Sequence, residues 1–310
     1  MYKKCTLCPR NCAVDRENGE RGVCGQTNEV KVARAALHFW EEPCISGEEG
    51  SGTVFFSGCS LHCVFCQNEE IANGTVGKVI TIERLAEIFL ELQEKGANNI
   101  NLVTPGHFIP QIKEALILAR QNGLKLPIVY NTSSYESLEA IKSLEGFVDI
   151  YLPDFKYMSS ELSAKYSHAS DYAKVAKTVI HEMVRQTGKP VFKNDDEEGL
   201  LKRGTVVRHL MLPGGMEDSK AVIQYLYETY GNDIYISIMS QFTPLANVSS
   251  YPELKRKVTE EEYEELVDYA IELGLEQGFI QEGDVAEESF IPSFDCEGVS
   301  SSSTHPDTPG

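Results

Sequence analysis

The sequence predicts an α/β protein built on a parallel sheet that closes, wholly or in part, into a (β/α) barrel, with a cysteine-rich metal module ahead of it. Two observations carry that expectation. From Thr81 onward, segments of helical periodicity alternate with short β-branched runs, the pattern of parallel strands joined by helical crossovers. Eight of the nine cysteines fall within the first 66 residues, apart from that alternation.

The expected strands are Thr53 to Phe56, Ile100 to Val103, Ile128 to Tyr130, Val148 to Leu152, Val206 to Leu212, Ile234 to Met239 and Gly278 to Gln281. Most are short, continuous apolar runs, as strands buried on both faces require. Thr81 caps a helix whose Leu85, Ile88, Phe89 and Leu92 form one apolar stripe ending at Gly96. Ser133 with Glu136, and Thr259 with Glu262, have capping-box spacing before two further helices. Another helix is expected from about Asp171 to Arg185. The expected organisation is a cysteine-rich module over residues 1–50, a barrel over 51–295 and a disordered, serine- and proline-bearing tail over 296–310.

The chain has 310 residues, 28 Lys and Arg against 47 Asp and Glu, and a formal charge of −19, so a phosphate backbone would be repelled over most of its surface. That argues against a nucleic-acid partner. No segment offers the apolar run that a bilayer requires, and the amino terminus has no apolar leader, so the expectation is a cytoplasmic protein without a membrane partner. In such a compartment clustered cysteines point to metal rather than disulfides.

The chemistry is concentrated in Cys59-x3-Cys63-x2-Cys66, which follows the strand Thr53 to Phe56 through Ser57-Gly58. Three thiolates on a short loop can hold three irons of a 4Fe-4S cube and leave the fourth without a protein ligand. Zinc is the competing occupant, but it takes four ligands and the loop supplies three. Cys5-x2-Cys8-x3-Cys12, with Cys24 beyond, supplies four, enough for a tetrahedral zinc site or a second iron-sulfur cluster. Cys44 and Cys296 stand alone and read as incidental thiols.

The three-cysteine spacing, with Phe65 before its last member, resembles the radical S-adenosylmethionine superfamily. Gly52-Thr53-Val54-Phe55-Phe56-Ser57-Gly58-Cys59, Cys66-Gln67-Asn68, Pro153-Asp154-Phe155-Lys156, Arg208-His209-Leu210 and Ser240-Gln241-Phe242-Thr243-Pro244 extend the resemblance over roughly residues 1 to 295. Together they look like the pyruvate formate-lyase activating enzyme-like branch. The resemblance implies a barrel of the radical S-adenosylmethionine type with a 4Fe-4S cluster and S-adenosylmethionine as cofactors. It implies cofactor contacts by Phe65, Thr104, Asn131, Asp154, Lys156, His209 and Gln241. Where related enzymes carry a glycine-glycine-glutamate stretch, this chain has Thr104-Pro105-Gly106-His107. Most of these positions also fall just after a strand, where parallel barrels gather reactive groups.

The implied activity is reductive cleavage of S-adenosylmethionine to a 5'-deoxyadenosyl radical that takes hydrogen from a protein or peptide, with a flavodoxin- or ferredoxin-like electron donor. The other readings are a radical enzyme acting on a small metabolite, and an iron-sulfur or zinc electron carrier or scaffold without catalysis. The ferredoxin-like cysteine insertion of many glycyl-radical activases is absent, since no cysteine lies between Cys66 and Cys296.

Overall fold

The computed structural model describes residues 3–195, 199–280 and 292–300. Among them one ten-stranded sheet dominates. Its strands are β1 (Val30–His38), β2 (Ser51–Phe56), β3 (Lys78–Ile80), β4 (Ile100–Val103), β5 (Ile128–Thr132), β6 (Ile150–Pro153), β7 (Val191–Phe192), β8 (Leu201–Leu210), β9 (Tyr235–Met239) and β10 (Gly278–Ile280). The order is β10-β9-β8-β6-β5-β4-β2-β1-β3, with β7 hairpinned onto β8. From β2 to β10 every neighbour on this path is parallel, whereas β1 is antiparallel to both β2 and β3. The path does not return on itself, so the barrel is partial.

The helices are α1 (Pro43–Ser46), α2 (Glu69–Ala72), α3 (Ile82–Glu94), α4 (Ile109–Gln121), α5 (Leu138–Lys142), α6 (Ser160–Ser167), α7 (Tyr172–Thr187), α8 (Met216–Tyr230) and α9 (Glu260–Glu272). Thr81 accepts from the Arg84 N–H at the start of α3, and Thr259 with Glu262 closes the expected capping box on α9. The expected box of Ser133 and Glu136 does not form. Ser137 caps α5 instead, and the Glu136 carboxylate turns inward to accept from Tyr130 and Thr132 hydroxyls. Alternation of the strands sends Leu85, Phe89 and Ile112 of α3 and α4 against the outer face of β2 and β4, while α7, α8 and α9 cover β6, β8 and β9. Burying each such side chain contributes roughly 1.5–3 kcal/mol.

Inside the barrel two groups of side chains meet. Val129, Ile150, Leu152, Val206 and Tyr235 pack with Cys44 and Ile45 of α1 into an apolar cluster. Cys44 is therefore a core thiol. Beside it Asn101, Asn131, Asp154, Arg208 and Ser237 form a polar group around Glu41 and Glu42.

Three expectations change. β1 extends the barrel sheet through residues 30–38, so the sheet does not begin at residue 51. Strand β8 starts five residues earlier than expected and stops at Leu210. The tail is not loose at its start: Cys296 donates its N–H to Ala33 O at 3.0 Å, Ala35 donates to Glu297 O at 2.8 Å, and Val299 is fully buried. Residues 301–310 and Gln281 lie outside the described residues.

Candidate active site

The loop after β2 carries Cys59, Cys63 and Cys66 over the carboxyl ends of the strands. Gly58 starts it with φ +94°, and a Cβ there would stand 2.6 Å from Cys24 O, so only glycine fits where the loop meets the amino-terminal module. The three cysteines border a cavity of about 370 Å³ together with Phe65, Thr104, Asn131, Asp154, Lys156 and Gln241. Seven elements or their following loops thus converge on one space, and six of the seven expected cofactor residues face it.

His209 does not. It alternates with Arg208 and Leu210, which point inward, so its ring lies on the helix side of β8. There it is buried, 2.8 Å from Phe155 O and 2.9 Å from Ser219 Oγ of α8. Burial pushes its pKa down to about 4. Its expected place beside a cofactor is corrected to that of a satisfied core histidine. His107 is likewise buried, 2.7 Å from Ser57 O, and burial lowers its pKa to about 3.

The cavity floor is a charged network. Lys156 Nζ donates to Asp154 Oδ2 at 2.7 Å, and Arg208 reaches Asp154 Oδ1 and Glu41 Oε1, both at 2.8 Å. Arg208 also donates to Asn131 Oδ1, and Asn101 and Asn131 both donate to Glu41 Oε2. Burial alone would raise the Asp154 pKa, but Arg208 and Lys156 outweigh it and hold the carboxyl below its usual range. Burial would lower the Lys156 pKa, and Asp154 reverses this, keeping the ammonium charged. Glu42, bonded to Ser237 Oγ at 2.8 Å, is pushed up to about 7 by burial against the pull of Arg208. Glu41 and Glu42 left no sequence signal, because adjacent acids normally lie on the surface; β1 and α1 carry them inside. Arg208 was visible in its motif without an assigned partner.

Thr104 follows β4 with φ +55°, a left-handed backbone that a β-branched residue rarely takes. Its N–H donates to Asn131 O at 2.9 Å, which ties the loops after β4 and β5 together at the cavity.

Burial raises the thiol of Cys66 to about 12, so without a metal it stays protonated. Among the described residues, no group of three or more His, Cys, Asp or Glu side chains is disposed as the ligand set of one metal ion. The three thiols border a cavity, which leaves room beside them for a bound group. A partial parallel barrel with three thiols and a charged floor at its carboxyl face defines a cluster-bearing enzyme fold that holds a polar cofactor.

The chain belongs to the Radical SAM superfamily, whose sequence model matches residues 53–226. Members of that superfamily are enzymes, and their cofactors are a 4Fe-4S cluster and S-adenosylmethionine. The chain is 28% identical over 284 residues to an uncharacterized protein of Methanocaldococcus jannaschii, spanning 89% of this chain and 77% of that one. Streptococcus suis SuiB bound to S-adenosylmethionine is similar in structure at 12% identity and a TM-score of 0.50, covering 73% of this chain and 49% of SuiB. HydG, a maturase of the FeFe-hydrogenase, is similar at 17% identity and a TM-score of 0.50, covering 77% of this chain and 54% of HydG. This chain thus spans about half the length of those two, and the likeness is one of fold. No helix among the described residues is long and apolar enough to cross a membrane.

Proposed function

We propose that this chain is an activating-enzyme-like radical enzyme that takes hydrogen from a protein or peptide. The observation that carries the reading is the convergence of Cys59, Cys63 and Cys66 with Asn131, Asp154 and Lys156 on one cavity of about 370 Å³. A 4Fe-4S cluster held there would supply the electron for reductive cleavage of S-adenosylmethionine, the chemistry this reading requires. Cys59, Cys63 and Cys66 would hold that cluster through three thiolates.

The remaining residues bind and orient. Lys156 keeps its charge beside the thiols, which supports its pairing with the cofactor carboxylate. Asp154 fixes Lys156 and Arg208 in one geometry, and Glu41 fixes Arg208 from the other side. Asn131 belongs to the same floor network, Thr104 and Gln241 offer further hydrogen-bonding groups to the cavity, and Phe65, Leu210 and Met239 exclude water. Substrate access is supported by the incomplete barrel, since His38 and Trp40 around the end of β1 and Met239 and Gln241 around the end of β9 border the same cavity. Cys63 and Cys66 also border an outward cavity of about 320 Å³, which supports approach of a flavodoxin- or ferredoxin-like donor from that side.

Anaerobic reconstitution with iron, sulfide, a reductant and S-adenosylmethionine tests the reading. Formation of 5'-deoxyadenosine, with a mass change or radical signal on a protein partner, is the expected result. Turnover of a small metabolite in its place overturns the substrate class, and absence of any cofactor cleavage leaves an electron carrier.

A further inference from the structure

Helix α6 ends beside the cysteine loop, and the hydroxyl of its last residue is directed away from the helix. Thr178 and Thr187 of α7 donate back to carbonyls four residues earlier, Lys174 O at 2.9 Å and Met183 O at 3.1 Å. Ser167 instead donates to Cys63 Sγ at 2.9 Å. The hydroxyl of Tyr157 lies 2.8 Å from Ser167 Oγ. A serine has one hydroxyl proton, and a thiolate has none to give, so Tyr157 donates to Ser167 and Ser167 to the sulfur. Both protons of this relay are directed toward Cys63.

The relay is held in place from several sides. The Tyr157 ring packs edge-on against Phe65, with centroids 6.4 Å apart, and against Tyr172 at 5.5 Å. Val64 of the cysteine loop donates its N–H to Tyr166 O at 2.9 Å, which joins the loop to the end of α6. Arg10 donates to Ser60 O at 2.8 Å, to Ser167 O at 3.1 Å and to His168 O. One guanidinium thus fastens the cysteine loop to the backbone that carries the serine. Tyr157 and Ser167 are fully buried, where a hydrogen bond is electrostatically stronger than in water.

Reduction adds negative charge to an iron-sulfur cluster, and hydrogen bonds to its sulfurs help set the potential at which this happens. A donor aimed at a ligand sulfur favours the more negative, reduced state. We propose that Ser167, oriented by Tyr157, is a positioning residue that holds a proton donor on Cys63 and raises the reduction potential of the barrel cluster. This rests on the assignment of Cys59, Cys63 and Cys66 as its ligands. Packing alone does not require the relay, because a helix-end serine satisfies its hydroxyl equally well on a carbonyl of its own helix.

The test is a potentiometric titration of the full chain, reconstituted anaerobically and followed by the electron paramagnetic resonance signal that S-adenosylmethionine perturbs. Wild type, Ser167→Ala and Tyr157→Phe are compared at equal iron content. Ser167→Ala should move the midpoint to a more negative potential, by about the 59 mV that a tenfold change in a one-electron reduced-to-oxidised ratio represents. Tyr157→Phe keeps the serine hydroxyl but frees it to rotate, and should move the midpoint the same way by less. An unchanged or more positive midpoint in Ser167→Ala overturns the inference. Should that variant fail to assemble its cluster, the Tyr157→Phe midpoint decides by the same rule. The two readings fail distinguishably: a wild type without a signal that responds to S-adenosylmethionine sinks the ligand assignment and this inference with it, whereas a responsive wild type with unshifted variants sinks this inference alone.

Discussion

The two cysteine sets lie against each other across Gly58 and Cys24, yet they face different spaces. Cys59, Cys63 and Cys66 border a polar cavity of about 370 Å³, whereas Cys5, Cys8, Cys12 and Cys24 border a void of about 30 Å³ between their loop and the barrel. The difference teaches where a second molecule has room. Three thiols beside a large charged cavity have space for one; four thiols beside a small void do not.

Removing the open set should have the largest effect. Cys59→Ala, Cys63→Ala or Cys66→Ala is expected to abolish 5'-deoxyadenosine formation, followed by chromatography of the quenched reaction. A variant that cleaves the cofactor at the wild-type rate would break the comparison, since the set beside the large cavity would then not hold the reactive cluster.

Next comes the floor of the cavity. Asp154→Ala leaves Arg208 and Lys156 without their shared carboxylate in a buried site, a loss of about 3–5 kcal/mol in stability. Denaturant unfolding checks this, and a loss below about 1 kcal/mol would mean that water screens the network.

Lys156→Ala should keep iron content unchanged while weakening S-adenosylmethionine binding about tenfold or more, through a lost charge-assisted contact of roughly 1.5–3 kcal/mol. Calorimetric titration reads it. Unaltered affinity would restrict Lys156 to holding Asp154.

His209→Gln should change cofactor affinity least, because the ring faces Ser219 and not the cavity. Its effect is on stability against pH. With the folded pKa lowered by burial to about 4 from the usual 6.5 of histidine, the wild-type ring contributes stability that is present above pH 6.5 and lost as pH falls toward 4. The variant should therefore lose about 2 kcal/mol less than the wild type between pH 7 and pH 5. Equal losses, measured by unfolding at both pH values, would refute the buried neutral ring.

Much of this was legible in the chain order of residues. Short apolar runs marked seven of the ten strands because strands buried on both faces have no polar alternation to disguise them. β1, β3 and β7 escaped notice. β1 mixes Lys31 and Arg34 into its apolar residues, β3 is three residues long and β7 is two. Inward and outward positions on β8 could not be told apart, since the side facing the cavity depends on register with β6 and β9.

The sequence by itself determined the chemistry: cysteine spacing sets which thiolates share a short loop, and that is a local property of the backbone. Tertiary structure decided which charged groups meet. Glu41, Asn131, Asp154 and Arg208 come from distant parts of the chain and touch only because β1 and α1 place two acids under parallel strands. Tertiary structure also turned His209 away from the cavity, because pleating gives neighbouring residues of one strand to opposite faces.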